Sequence, residues 1–157
     1  MKILAIDPAT NCGWAVAVNG DVVAAGTWDL SVRRDESSGM RLIRLRSKLQ
    51  KVAESFGGVD LVVFEAARFA GPKMQGSLIV TAQLNSIVMT WAHDTGAESR
   101  GYSSTEIKKY ATGKGNAGKP MMVEAAKDKW ESFTGDDNEA DARWLADLAA
   151  TEYDPEA

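Results

Sequence analysis

Two short apolar runs each end on a carboxylate. Ile3-Leu4-Ala5-Ile6 is closed by Asp7, and Leu61-Val62-Val63-Phe64 by Glu65. Runs that are continuously apolar, rather than alternating, are the pattern of strands covered on both faces. A carboxylate at the end of such a strand is costly unless something cationic holds it. A third one, Asp141, opens the last helical pattern within Asn138-Glu139-Ala140-Asp141-Ala142. Carboxylates distant in sequence and convergent in space are what a divalent-cation site requires.

The remaining pattern constrains what surrounds them. Cys12 to Val18 and Val22 to Leu30 are β-rich and separated by Asn19-Gly20, a two-residue hairpin signal. Asp35-Glu36-Ser37-Ser38 can start a helix, and Met40, Ile43, Leu49, Val52, Ala53 and Phe56 recur near helical spacing until Gly57-Gly58. Val59 to Glu65 forms a strand, and Arg68 to Lys73 a loop broken at Gly71-Pro72. A helix from about Met74 to His93 follows, then a short strand from Ala97 to Tyr102. Ser104 or Thr105 caps a short helix to Ala111. The turn Thr112-Gly113-Lys114-Gly115-Asn116-Ala117-Gly118 leads to a helix begun by Pro120 and ending near Trp130. Asp136 or Asp137 caps the last helix, Asn138 to Thr151. The order β-β-β-α-β-α-β-α-α-α predicts an α/β fold: one central mixed five-stranded sheet flanked by helices, in a single domain over 1–157.

Composition narrows the class. With 157 residues and 45% hydrophobic content the chain supports a real core. It contains no run of about eighteen apolar residues that would span a membrane. Cys12 is the only cysteine, so an intramolecular disulfide is excluded and a cysteine-built zinc site disfavoured. A cytoplasmic, reducing setting is the expectation. The net charge of −4 argues against a generic nucleic-acid binder. The charges are segregated, however. Arg33, Arg34, Arg41, Arg44, Arg46, Lys48 and Lys51 gather in one stretch and Lys108, Lys109, Lys114 and Lys119 in another, while acidic residues crowd the last third. Segregation, not net charge, decides whether a cationic face exists.

Asp7 and Glu65 meet if their strands pair in parallel. Asn138 and Asp141, three apart, share one face of a helix, and Asp137, four before Asp141, can reach it too. Two Mg²⁺ ions about 4 Å apart, held by such oxygen donors, can activate a water and stabilise the leaving oxygen of a phosphodiester. Taken singly, each residue has a bland reading: a turn at Asp7-Pro8, a solvated strand end at Glu65, an N-cap at Asp137-Asn138. His93, the only histidine, reads as a surface or core residue, Cys12 as a small core residue, and the five tryptophans as core or dimer contacts.

The chain resembles the RuvC Holliday-junction resolvases of the ribonuclease H-like superfamily. Four segments carry the resemblance in order: ILAIDPATNCGWAV, LVVFE, SSTEIKKYATGKGNAGKPMMVEAA and NEADARWLADLAA. The interval Asp29 to Gly58 is least distinctive, and the lysine- and glycine-rich segment is the most specific. The resemblance implies a ribonuclease H-like fold and a homodimer acting on four-way and other branched DNA. It implies phosphodiester hydrolysis with Mg²⁺, for which Mn²⁺ substitutes. Asp7, Glu65 and Asp141 fall on its metal-binding positions, and Asn138 falls where the family usually carries Asp or His. An amide offers an oxygen without charge, either as a natural attenuation or as an introduced inactivating change, and Asp137 is the candidate to compensate. Lys108 and Lys119 match lysines near the scissile phosphate, where they can stabilise developing charge.

The glycine-rich turn exposes backbone N–H groups to phosphate, with Lys114 among them. Phe69, flanked by Arg68 and Lys73, can stack on an unpaired base, wedge a junction open, or fold back on the core. Its spacing from the acidic residue differs from the family's by one. Met74 and Gln75 extend this contact, and the helix from Met74 to His93 is the candidate dimer contact. The short chain, divergent middle and acidic tail are nearer to a phage or prophage version, whose setting would be the host cytoplasm. The rival readings are a related nuclease acting on RNA and a weakened junction-binding module. An actin-like or sugar-kinase ATPase would need two lobes, for which the chain is too short.

Overall fold

Strand β1 (Lys2–Asp7) lies at the centre of a five-stranded sheet of order β3-β2-β1-β4-β5. It pairs antiparallel with β2 (Asn11–Val18), which pairs antiparallel with β3 (Asp21–Asp29). On its other side β1 pairs in parallel with β4 (Leu61–Glu65), and β4 in parallel with β5 (Glu98–Tyr102). The computed structural model describes residues 1–68, 72 and 75–156. The hairpin between β2 and β3 turns at Asn19 and Gly20, whose φ angles of 49° and 92° give the doubly left-handed turn that matches strand twist.

The helices divide between the two faces. Helix α1 (Gly39–Ser55) connects β1–β3 to β4, and α2 (Gln75–Thr95) connects β4 to β5. Both cover one face, burying Leu4, Ile6, Val16, Val62 and Phe64 against Leu45, Leu49, Leu84, Val88 and Trp91. Helices α3 (Ser104–Thr112), α4 (Lys119–Lys129) and α5 (Asp137–Tyr153) return over the other face. There Ile3, Ala5, Ala15, Ala17, Leu61 and Val63 pack with Ala140, Ala142, Leu145, Ala146 and Ala149. The continuous apolar runs of β1 and β4 thus serve two cores, one for each parity of residue. The sequence-based boundaries hold to within two residues, and Asp136 caps α5 as expected, but α3 is capped by Ser103 rather than Ser104 or Thr105, because the Ser103 hydroxyl and the Glu106 carboxylate form a reciprocal capping box.

Alternation also decides where the strand-end carboxylates point. Asp7 follows Ile3 and Ala5, and Glu65 follows Leu61 and Val63, so both belong to the α5 face. That face is built from small residues, Gly13, Ala15 and Ala17 on β2 and the alanines of α5, which lets the helix approach closely. The tightest point is Gly13, opposite Asp7 in the ladder, where an added Cβ would lie 1.9 Å from the Asn138 carbonyl oxygen. The obstacle is backbone, so it cannot rotate away. Gly13→Ala should therefore destabilise the fold by about 1–3 kcal/mol or more through overpacking. Urea denaturation measures this, and unchanged stability would show that α5 does not depend on the approach.

Candidate active site

Asp7, Glu65, Asp137 and Asp141 converge at the C-terminal edge of the parallel strands. Asp7 and Glu65 are side by side because β1 and β4 run in parallel with Ile6 opposite Phe64. Helix α5 begins over this edge and brings Asp137 and Asp141, one turn apart, onto the same face. The carboxyl of Asp7 is held well above the usual carboxylate range, first by desolvation and then by the charges of Asp141, Glu65 and Asp137. Asp141 is pushed up to about 7 by desolvation and by Glu65 and Asp137, against the opposing pull of Lys108 and Lys119. The two lysines therefore stand within electrostatic reach of the cluster. Lys119 pairs with Asp137 at 3.4 Å, and its side chain is 81% exposed.

Asn138 occupies the first turn of α5 with its backbone against Gly13. Its side-chain amide lies beside the cap carboxylate Asp136. Despite burial, which raises it, Asp136 is held below the usual range by the Glu139 N–H, the Thr27 hydroxyl and the Asn138 amide and N–H. The Glu139 and Thr27 contacts measure 2.9 Å and 2.7 Å. The fourth carboxylate acting on Asp7 and Asp141 is thus Asp137, one residue earlier. Arg68 is exposed at the exit of β4 and contributes, with Arg100, to holding Glu106 below the usual range, after the larger effect of the Ser103 contacts. Lys114 is exposed in the turn after α3, its N–H donating to the Thr112 hydroxyl at 3.1 Å. Phe69, Lys73 and Met74 lie outside the described residues.

Asn85 carries no signal in the sequence, where it is one of several uncharged polar residues on α2. Only 6% exposed, it accepts from the Ala67 N–H at 2.8 Å and donates to the Glu65 carbonyl at 3.2 Å. It fixes the backbone that presents Glu65. Thr81, one turn earlier on α2, donates to the Pro8 carbonyl at 3.2 Å and steadies the turn after Asp7.

The donor set fits a hard divalent cation: oxygen only, mostly carboxylate, partly desolvated, with a mutual repulsion that a cation would relieve. Among the described residues no three His, Cys, Asp or Glu side chains close into a finished ligand set. The carboxylates are near enough to perturb one another, and like-charge repulsion favours that looser spacing. The neighbouring soft donor, Cys12, is fully buried, and desolvation and the Asp7 charge push its thiol far up, which removes it as a thiolate ligand.

This is the ribonuclease H-like α/β fold, and here it carries carboxylates on the central strand, its parallel neighbour and the C-terminal helix. The chain is similar to RuvC proteins in sequence and in fold. It is 28% identical over 151 residues to the crossover junction endodeoxyribonuclease RuvC of Anaeromyxobacter sp. (strain Fw109-5), covering 93% of this chain and 71% of that protein. It superposes on T. thermophilus RuvC in complex with Holliday junction substrate with a TM-score of 0.77 at 19% identity, over 99% of this chain and 96% of that one. A second Thermus thermophilus RuvC structure gives 0.74 at 20% identity, over 96% and 93%. No family model matches the chain.

A raised carboxyl pKa means that folding costs more once the group must ionise. The metal-free protein should therefore lose stability as pH rises from about 4, the unfolded carboxylate value, to about 7, the folded value of Asp141. Thermal melting in EDTA across that range should show this slope, and Asp141→Asn should flatten it. An unchanged slope in the variant would mean that the carboxylates do not repel one another as the geometry implies.

Proposed function

We propose that this chain is a metal-dependent endonuclease that resolves Holliday junctions and related branched DNA as a homodimer. The observation that carries this reading is the pairing of Asp7 with Glu65 on parallel strands beneath Asp137 and Asp141, with Lys108 and Lys119 alongside, in a chain similar to RuvC proteins. Asp7, Glu65 and Asp141 would hold Mg²⁺, with Mn²⁺ able to substitute. Asp137 supplies the fourth charge, while Asn138 contributes at most a neutral oxygen. A bound cation supplies Lewis-acid polarisation of the phosphodiester and activation of water.

The chain's own residues do the rest. Lys108 and Lys119 neutralise phosphate oxygens as charge builds on them. The exposed pair between Lys119 and Asp137 is weak in water, so the ammonium can exchange its carboxylate for a phosphate. Arg68, Lys73 and Lys114 follow the DNA backbone, and Phe69, four residues after Glu65 in the sequence, acts on an unpaired base. Helix α2 supports the homodimer. From Gln75 to Ala92 it contains no charged residue, yet Ile79, Ala82, Gln83, Ser86 and Met89 are exposed on its outer side. Two sites related by a two-fold axis suit symmetric cutting of a four-way junction.

Cleavage of a synthetic four-way junction tests the assignment, with forked DNA and RNA assayed beside it. Asp7→Asn should bind the junction and lose more than about 100-fold in cutting, beyond the usual effect of an outer-shell change. Asp137→Asn should slow cutting by about 10-fold or more, and Asn138→Asp should cut at least as fast as the parent. Undiminished cutting by Asp7→Asn would sink the metal-site reading. Binding without cutting in either metal would leave a junction-binding module, and preferential cutting of RNA would favour the other nuclease class.

A further inference from the structure

One carboxylate on α5, outside the acidic cluster, ties both lysine-bearing helices to the helix that carries Asp141. Asp147 lies six residues beyond Asp141 and is only 8% exposed. Its Oδ2 accepts from the Tyr110 hydroxyl of α3 at 2.7 Å and from the Lys129 ammonium at the end of α4 at 2.6 Å. The Tyr110 oxygen is also 3.0 Å from Thr151 Oγ1, which donates to the Asp147 carbonyl at 3.0 Å. The Lys129 ammonium stands 5.5 Å from the ring centres of Trp130 and Trp144. Trp144, on α5, donates through Nε1 to the Met122 carbonyl near the start of α4 at 3.3 Å.

These contacts lie where they set the proposed phosphate lysines. Tyr110 and Lys108 are two residues apart on α3, about 200° around the helix. Holding Tyr110 down on α5 therefore fixes the roll of α3 and, with it, the place from which the Lys108 charge reaches Asp141. Lys119 and Lys129 sit at opposite ends of α4, about 15 Å apart along its axis. With Lys129 held at one end and Met122 near the other, the axis of α4 is fixed relative to α5, and with it the position of Lys119. For a carboxylate this buried, loss of Lys129 would leave its charge uncompensated, and loss of the Tyr110 hydroxyl would remove one of the two hydrogen bonds to Oδ2.

We propose that Asp147 is a positioning residue of the reaction, acting through Tyr110 and Lys129 to hold Lys108 and Lys119 in place beside the carboxylates. The proposal rests on the junction-cutting reading above. It is tested by single-turnover cleavage of a four-way junction at a temperature where circular dichroism shows every variant folded. Asp147→Asn should slow cutting about tenfold, within what a displacement of about 1 Å costs a positioned group. In a Lys108→Ala/Lys119→Ala background the same change should slow it less than about twofold, because groups acting as a unit are not additive. Calorimetric affinity for Mn²⁺ should be the same in Asp147→Asn and the parent.

If Asp147→Asn does not fold, Tyr110→Phe keeps the ring packing, removes one hydrogen bond and should give the same pattern at smaller size. Equal slowing in both backgrounds, or a parallel loss of Mn²⁺ affinity, would overturn the positioning role and leave only a structural one. A parent protein that cuts no junction would instead bring down the nuclease reading and this proposal with it. The parent's own activity separates the two failures.

Discussion

The close seating of α5 on the sheet is the contact on which the candidate site depends. It is a contact of small groups: Gly13, Ala15 and Ala17 on the strand side, and a row of alanines on the helix. Large side chains here would add apolar area but hold the helix away. The arrangement gives up individual burial for proximity, and proximity lets carboxylates from β1 and β4 meet those of α5. The cap Asp136 completes the seating by bonding Thr27 of β3, so the start of the helix is tied to the edge of the sheet as well as to its middle.

Electrostatics then works against the fold at that edge. Four carboxylates face one another, and desolvation together with their mutual repulsion raises the pKa of Asp7 and Asp141 at a cost to stability. Lys108 and Lys119 offset only part of it. A protein that needed only to be stable would replace such residues, so a cluster kept partly desolvated and under-neutralised points to function. The overall charge of −4 conceals this local pattern, since the lysines lie on α3, α4 and the turn between them while much of the acidic excess lies on α5.

Two polar side chains that the site needs are hidden among apolar ones. Asn85 sits in a helix otherwise buried through Leu84, Val88 and Trp91, and its amide pins the exit of β4. Asp147 lies between Ala146 and Leu148 and joins three helices through one oxygen. Neither belongs to a recognisable spacing, because each partner comes from a different element. A buried polar group is informative only once its partners are known.

The amino-acid sequence by itself determined the elements and their order. Apolar runs, the Asn19-Gly20 turn and the alternation that turns Asp7 and Glu65 to one face are local properties, and local sterics and periodicity suffice to read them. Nearly all of the carboxylate set was legible for the same reason, since residues at strand ends and on one helix face announce themselves by position. The choice between Asp137 and Asn138 was not. Both lie within a turn of Asp141, so either could share its face, and the difference is a rotation of the helix about its own axis. Only the tertiary structure sets that rotation. The backbone of Asn138 is pressed onto Gly13, the Asn138 amide lies by Asp136, and Asp137 is left facing the strand carboxylates. Helical periodicity defines angles between residues of one helix, but the direction the whole helix faces comes from what it packs against.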